Sequence, residues 1–469
     1  MFFASAGFLF LFLPLFMLAF MVTPNRWKRY TLFAAGVLFY LLANWRTPLS
    51  VAILWFAVLF AYFYGAFLAR HRRPVFLALG IAVNVSVFLF LRIFCNQLRG
   101  SYLFPFPVGA SIFLLNAISY LLEHYRAEEA VEDNLLDTAT YLTFFPVMMA
   151  GPLIPYRNFR LYLTKLTYKK EIMAKGARFF SMGLIKRVAV AAVLCEAYGN
   201  ILQYSNLQVN VGIGLLSFFL MYLIVYFAFS GYSDMGVGLC VMMGIPVGAD
   251  YRSPFSACAP SDYFHGFFSS FYRFFETSMI KPLEGCSFGS ARGRRFLGEC
   301  IYLVCFALWL RTDFFVLLAL LPILALVALE RLTAVGEFLH KKVLGRAVGW
   351  LLTLLLTSLF WMVLSLESFG ALFEYFRNLL HVSGSYLSLY TFVTSIGMEF
   401  IVVAAVAVCV LLPLSRTKCY LSGKSDGKAA FMVDGMLTLV LLGLLFLTLS
   451  YFLPQFPKYA VQPYTYFVI

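Results

Sequence analysis

The first candidates for chemistry in this sequence are polar residues inside apolar runs, because a charge in apolar surroundings is expensive and rarely kept without a role. Asp234 lies in such a run together with Ser230 and Tyr232, and the three are candidate cavity-lining residues. The Asp234 carboxylate could support a cavity by bonding a neighbouring helix. It could equally be a structural anchor beside a helix break at Gly231, and the sequence does not decide between the two.

Histidine is the residue type best suited to acid–base chemistry, since its pKa lies near neutrality. The chain has five histidines: His71, His124, His265, His340 and His381. His265 follows Ser261 and Asp262, which are typical of a helix N-terminus, so a surface histidine at a helix start is the interpretation that we favour. No sequence partner distinguishes the other four from surface histidines.

The elements that must position these residues are membrane helices. Of the 469 residues, 62% are hydrophobic and 12% are charged, whereas about a quarter of a soluble globular protein is charged. Apolar runs of spanning length recur without the alternation of an outer-membrane barrel, which predicts an all-α polytopic membrane protein. The net charge of +14 comes from Lys and Arg in short loops, as the positive-inside rule requires, so we predict no nucleic-acid partner.

Twelve candidate spans follow from the apolar runs. They are about 3–22, 31–45, 49–69, 74–92, 103–122, 175–200, 211–229, 298–310, 314–330, 347–365, 391–413 and 430–453. Three further segments, about 139–155, 232–246 and 262–283, are predicted not to cross. Pro146 and Pro152 interrupt the first of these, which we interpret as a re-entrant element.

The loops fix a predicted orientation and division of the chain. Basic residues follow the first and third spans, which places those loops in the cytoplasm and the N-terminus outside. We predict one membrane domain, in which 1–122 are peripheral helices, 123–330 the working core and 331–469 C-terminal helices. The nine cysteines are scattered singly, so neither a metal site nor a disulfide framework is predicted.

Two central segments resemble a known family. Phe229–Asp234 reads F-S-G-Y-S-D and Lys281–Gly285 reads K-P-L-E-G. The spacing is similar to that of bacterial membrane-bound O-acyltransferases (the MBOAT family), of the alginate O-acetylation and D-alanyl teichoic-acid type. There, F-S-G-Y-S-D precedes a helix that reads W-R-R-W-H-x-S-L and ends at P-L-G-G. Aligned without gaps, Phe268 stands at the family histidine. A second family histidine follows L-W, and here Leu310 follows Leu308-Trp309.

Four other segments resemble family motifs in the same order: Gly109–Tyr120, Tyr141–Phe159, Gly176–Arg187 and Phe360–Leu380. They are similar to G-I-S-F…I-S-Y, Y-L-x-F-F-P…A-G-P-I…R-Y-x-x-F, G-x-x-R-F…G-L-x-K-K and F-W-x-F-F-R-A…A-L-x-F-L. In the last of them Ser365 stands where the family has an arginine. The resemblance runs from about 104 to 380 and is closest to the alginate-acetylation branch.

The resemblance implies a fold of about 11–13 transmembrane helices with re-entrant and interfacial helices around a thin, funnelled core. It also implies acyl transfer from a cytosolic donor to a hydroxyl acceptor. That reaction needs a base, and neither Phe268 nor Leu310 can accept a proton. On one continuous helix, His265 would lie a turn, about 5 Å, from Phe268, and is a candidate substitute.

The remaining candidate residues concern the cavity and the donor. Ser269, Ser270 and Tyr272 lie on the segment expected to face the cavity, where a hydroxyl can position an acyl carbonyl. An acyl-CoA is the expected donor, with no covalently bound cofactor. A basic set could bind its phosphates, although orientation and contact with anionic lipid is the interpretation that we favour. That set is Lys186, Arg187, Arg292, Arg294 and Arg295.

The hypothesis from the sequence is a multi-pass protein of the bacterial cytoplasmic (inner) membrane, related to polysaccharide O-acetylation proteins and catalytically altered or inactive. Its expected partners are membrane lipids, an acyl donor and a secreted or periplasmic SGNH-type acyltransferase. Two alternatives stay open. One is an active O-acyltransferase that uses displaced groups such as His265, and the other is a transporter or flippase for a lipid-linked sugar on the same fold.

Overall fold

Every regular element that the structure describes is helical. The computed structural model describes residues 3–45, 47–97, 106–127, 134–166, 169–205, 211–252, 257–287, 289–312, 314–333, 335–366, 369–380 and 439–454, and these ranges contain no β-strand. A helix satisfies each backbone N–H and C=O within its own segment, which a hydrocarbon surrounding requires. The prediction of an all-α polytopic membrane protein is confirmed.

The helices follow the apolar runs of the sequence. The first part of the chain contains α1 Leu13–Val22, α2 Lys28–Ala43, α3 Pro48–Arg70, α4 Pro74–Gln97, α5 Ala110–Arg126, α6 Leu135–Leu142, α7 Tyr156–Leu163, α8 Lys170–Leu184 and α9 Ala192–Ser205. The second part contains α10 Val211–Met242, α11 Pro260–Gly266, α12 Ser269–Phe275, α13 Lys281–Glu284, α14 Ala291–Leu310, α15 Phe314–Leu332, α16 Val335–Lys341, α17 Val343–Ser365 and α18 Phe369–Leu380. A further apolar helix covers Leu439–Phe452.

Within the described residues, five helices are long and apolar enough to cross a membrane. They are Pro48–Arg70, Pro74–Phe94, Leu216–Met242, Phe315–Leu332 and Val343–Ser365. The predicted span 391–413 lies outside the described residues, and the span predicted at 430–453 is described only from 439. The full number of crossings, their orientation and the division of the chain at 122 and 330 stay predictions.

Helices α8 and α10 pack closely against each other where glycines of the two helices face each other. A Cβ at Gly183 would lie 2.5 Å from the carbonyl oxygen of Gly231, and one at Gly176 would lie 2.6 Å from that of Gly238. Small residues let membrane helices approach backbone to backbone. Gly231 is therefore a packing residue in mid-helix, and the helix break that one of the two alternatives for Asp234 assumed there does not occur. Helix α10 continues to Met242, so residues 232–242 of the segment predicted not to cross extend the helix of the preceding predicted span.

The segment 139–155 is irregular, as its prolines predict. Helix α6 ends at Leu142, a single 3₁₀ turn covers Phe145–Val147, and an extended stretch leads to α7. Its backbone is buried in protein: the Tyr141 hydroxyl donates to the Ile154 carbonyl oxygen at 2.8 Å, and the Thr143 carbonyl oxygen lies against Gly36 of α2. Irregular backbone inside a membrane protein is stable only with such internal partners.

Candidate functional site

The candidate site lies at the break between α11, which ends at Gly266, and α12, which begins at Ser269. Phe268 has φ +64° and is the only non-glycine residue with positive φ among those described. The carboxylate of the buried Asp250 binds Ser269 and Ser270, the first two residues of α12. Its Oδ1 accepts from the Ser270 N–H at 2.5 Å and from the Ser269 hydroxyl at 3.0 Å. Its Oδ2 accepts from the Ser270 hydroxyl at 2.7 Å. Holding a bulky residue in the left-handed conformation costs about 1–3 kcal/mol. The three hydrogen bonds to Asp250 offset that cost.

Of the two positions that the family resemblance matches, Phe268 lies at this break, and Leu310 directly follows a residue that Phe268 contacts. Phe268 is fully buried, and its ring centroid lies 5.6 Å from that of Trp309 at the end of α14. Leu310, the next residue, is also buried. The Phe268 ring also stacks on Tyr251 at 5.9 Å and on Phe271 at 5.5 Å. Phe268 thus belongs to a packed aromatic cluster that includes Trp309, the residue before Leu310.

Aromatic rings extend this cluster towards α17. Phe267 lies 5.0 Å from Trp361, and Tyr263 lies 5.7 Å from Phe267. The Trp361 indole N–H donates to the Tyr263 hydroxyl at 2.8 Å. Buried Trp and Tyr residues usually find such a partner, so this part of the cluster is a satisfied core.

His265 does not share a helix face with Phe268, because α11 ends at Gly266 before the break. Its ring stacks on Tyr272 at 3.7 Å, and its Nε2 lies 4.0 Å from Glu299 Oε1. Burial lowers the pKa of His265 to about 3, and Arg331 acts in the same direction. The imidazole is therefore neutral at ordinary pH, and the expectation that it lies one helical turn from Phe268 is wrong.

Glu299 organises the polar group that surrounds His265. Its Oε2 accepts from Arg331 Nε at 2.9 Å, and its Oε1 lies 3.5 Å from Arg295 Nε. On the neighbouring turn, the Ser261 hydroxyl donates to Glu330 at 2.5 Å. These contacts join α11, α14 and α15 and fix the direction in which His265 points.

A second buried charge group joins α10 to the π-helical turn Ile185–Ala191, which continues α8. Lys186 Nζ lies 2.5 Å from Asp234 Oδ2, and the two side chains are 12% and 9% exposed. The Arg187 guanidinium lies over the Tyr232 ring at 5.1 Å. Ser230 is buried on the same helix. Asp234 thus bonds a neighbouring helix, one of the two roles that the sequence left open.

The basic residues named as candidates for phosphate binding fall into two groups. Arg294 donates to the carbonyl oxygens of Glu284 at 3.1 Å and Gly289 at 2.9 Å. Arg295 pairs with Glu284 as well as with Glu299, and Arg292 is exposed. Lys186 is instead bound to Asp234. Arg294 and Arg295 therefore bond to residues before and within α14, whereas Lys186 bonds to Asp234 of α10.

Asp250, Tyr251 and Trp309 are the residues that sequence reasoning missed. Asp250 precedes the break by 18 positions, and an Asp that caps a helix start is normally adjacent to it. Tyr251 and Trp309 looked like ordinary apolar-run aromatics. The one available signal was the position of Trp309, directly before Leu310.

No protein-family model matches the chain. It is 29% identical over 269 residues to the probable alginate O-acetylase AlgI of Pseudomonas fluorescens, covering 54% of this chain and 51% of the relative. It is 27% identical over 316 residues to the probable alginate O-acetylase AlgI of Azotobacter vinelandii, covering 63% and 61%. It is 24% identical over 336 residues to a peptidoglycan O-acetyltransferase of Helicobacter pylori, covering 59% and 61%. The chain thus spans between half and two thirds of the length of these relatives.

Proposed function

We propose that this chain is a membrane-bound O-acyltransferase-type protein of a bacterial cytoplasmic membrane, related to proteins that O-acetylate extracytoplasmic polysaccharides, in which the usual histidine chemistry is lost. The observation that carries the proposal is the packing of Phe268 against Trp309, the neighbour of Leu310, in a buried aromatic cluster. The relatives named as alginate O-acetylases and a peptidoglycan O-acetyltransferase support an acyl donor and a polysaccharide acceptor.

The loss follows from the chemistry of a hydroxyl acceptor. A hydroxyl attacks an acyl carbonyl well only when a base takes its proton, and such a base is worth about 10²–10⁴ in rate. A phenyl ring and an isobutyl group offer no lone pair. His265 does not substitute for them, because it faces Glu299 and Tyr272 and a displacement of about 1 Å already costs about 10²-fold.

A chain of this kind acts by binding the acyl donor, by forming the passage that the acyl group takes, or by docking an SGNH-type acyltransferase on the outer side. Arg292, Arg294 and Arg295 at the start of α14 are the candidate phosphate contacts of an acyl-CoA. A gene for a secreted SGNH-type acyltransferase beside the gene for this chain would favour the docking role.

The test is acetyl transfer in isolated membranes. Membranes that contain the chain, supplied with radiolabelled acetyl-CoA and with alginate or peptidoglycan, should acetylate the polysaccharide no faster than membranes without it. The double variant Phe268→His/Leu310→His should gain activity, since histidine adopts the left-handed conformation of position 268 more readily than phenylalanine does. Turnover by the unaltered chain that His265→Ala abolishes would overturn the proposal and establish an active enzyme with displaced groups.

A further inference from the structure

Two buried polar atoms beside Phe268 have no hydrogen-bond partner in the part of the chain that the structure describes: the Tyr251 hydroxyl and the Trp309 indole nitrogen. Their rings both contact the Phe268 ring, at 5.9 Å and 5.6 Å. Leaving a buried donor unsatisfied costs about 1–3 kcal/mol. In the same aromatic cluster, the Trp361 indole N–H donates to the Tyr263 hydroxyl oxygen at 2.8 Å. The Trp361 N–H in this cluster thus has a partner, whereas the Tyr251 hydroxyl and the Trp309 N–H beside Phe268 have none among the described residues.

The chemistry of the two atoms defines what they can bind. An indole N–H donates and cannot accept, so its partner must be an acceptor. Burial raises the pKa of the Tyr251 hydroxyl well above its usual range, and the nearby carboxyl group of Asp250 acts in the same direction. The hydroxyl therefore keeps its proton and can donate. An anion is disfavoured next to Asp250, whereas a neutral carbonyl oxygen has two lone pairs for two donors.

We propose that the Tyr251 hydroxyl and the Trp309 indole N–H bind the carbonyl oxygen of an acyl thioester beside Phe268. This inference rests on the proposed function, since that function supplies the acyl donor. The two residues hold the acyl group in place and are not bases. Backbone strain such as that at Phe268 is typical of ligand sites, which agrees with this location.

The test compares acetyl-CoA with CoA, which lacks the carbonyl group. Affinities of the full chain in lipid nanodiscs are measured by calorimetry for the unaltered chain, Tyr251→Phe and the matched control Tyr263→Phe. The unaltered chain should prefer acetyl-CoA over CoA. Tyr251→Phe should weaken acetyl-CoA binding about 3- to 10-fold and leave CoA unchanged, the loss expected for one neutral hydrogen bond. The infrared carbonyl band of bound [1-¹³C]acetyl-CoA should move towards its free frequency in that variant.

The stability of the ligand-free chain gives an independent measurement. Tyr251→Phe removes an unpaired hydroxyl and should leave the thermal midpoint unchanged or raise it. Tyr263→Phe removes the hydroxyl that accepts from the Trp361 N–H and should lower the midpoint while keeping the preference for acetyl-CoA. A drop for Tyr251→Phe as large as that for Tyr263→Phe would show a structural partner and overturn the inference.

The binding outcomes separate the inference from the proposed function. If the unaltered chain binds CoA and acetyl-CoA equally, or if Tyr251→Phe weakens both alike, the inference is wrong and donor binding stands. A bound water in place of the carbonyl oxygen would give that same result. If neither compound binds, donor binding and the inference are both wrong.

Discussion

Breaking the Lys186–Asp234 pair should strongly destabilise the fold. The pair joins α10 to the π-helical turn Ile185–Ala191 that continues α8, close to the Gly183–Gly231 crossing. Nζ and Oδ2 are 2.5 Å apart, and both side chains are about nine-tenths buried. Removing either partner leaves a charge in apolar surroundings without its counter-charge, which is the costly case for buried pairs.

The magnitude follows from this burial. Lys186→Met and Asp234→Leu should each cost about 3–5 kcal/mol of unfolding free energy, the range for a broken buried pair. Lysine and methionine have similar helix propensities, so the loss reports the charge. The double variant replaces both charges by apolar groups and should cost far less than the sum of the single variants. We expect a coupling energy of about 2 kcal/mol or more.

The assay is equilibrium unfolding of the purified chain in mixed micelles of a mild detergent and sodium dodecyl sulfate, followed by tryptophan fluorescence. An exposed pair provides the matched control: Lys281 and Glu276 lie 3.5 Å apart with side chains 61% and 30% exposed. Because solvent screens such a pair, Lys281→Met should cost at most about 1 kcal/mol. If Lys186→Met costs no more than Lys281→Met, or if the two buried substitutions are additive, the reasoning from burial is refuted.

Three further predictions concern the site and its frame. The folded-state pKa of His265, about 3, lies below the unfolded value of about 6.5. Between these two pH values the unfolded chain binds a proton that the folded chain does not. The free energy of unfolding should therefore fall by about 2 kcal/mol between neutral pH and pH 5. Unfolding curves of His265→Gln should lack this loss, and an unchanged pH dependence would contradict the assignment. Asp250→Ala removes three hydrogen-bond acceptances at the α12 start and should cost about 2–4 kcal/mol by the same assay, with Asp250→Asn costing less; equal stabilities of the two variants would contradict this role. Gly183→Ala should cost about 1–3 kcal/mol because its Cβ meets the backbone oxygen of Gly231, whereas Gly443→Ala, which meets open space, should be neutral or stabilising.

Local sequence was sufficient for the class of the protein and for most of its helices. Apolar length alone predicts the spans that became α3, α4, α15 and α17, because a helix in hydrocarbon needs only its own backbone as partner. The prolines of 139–155 predict an irregular segment for an equally local reason, the missing N–H. The family resemblance also singled out positions 268 and 310, and these are the positions on which the proposed function rests.

The tertiary structure decided the properties that depend on residues far apart in the chain. The sequence alone predicts His265 one helical turn from Phe268. In the structure, Asp250 accepts from the first residues of α12, and the helix is interrupted between His265 and Ser269. Gly231 resembles a helix breaker until α8 is packed against it. Tyr251 and Trp309 lie far apart in the chain, and each contacts Phe268 only in the folded protein. A residue's type and its near neighbours determine helix formation and burial, whereas hydrogen-bond partners, strain and the direction of a side chain depend on which distant helix packs beside it.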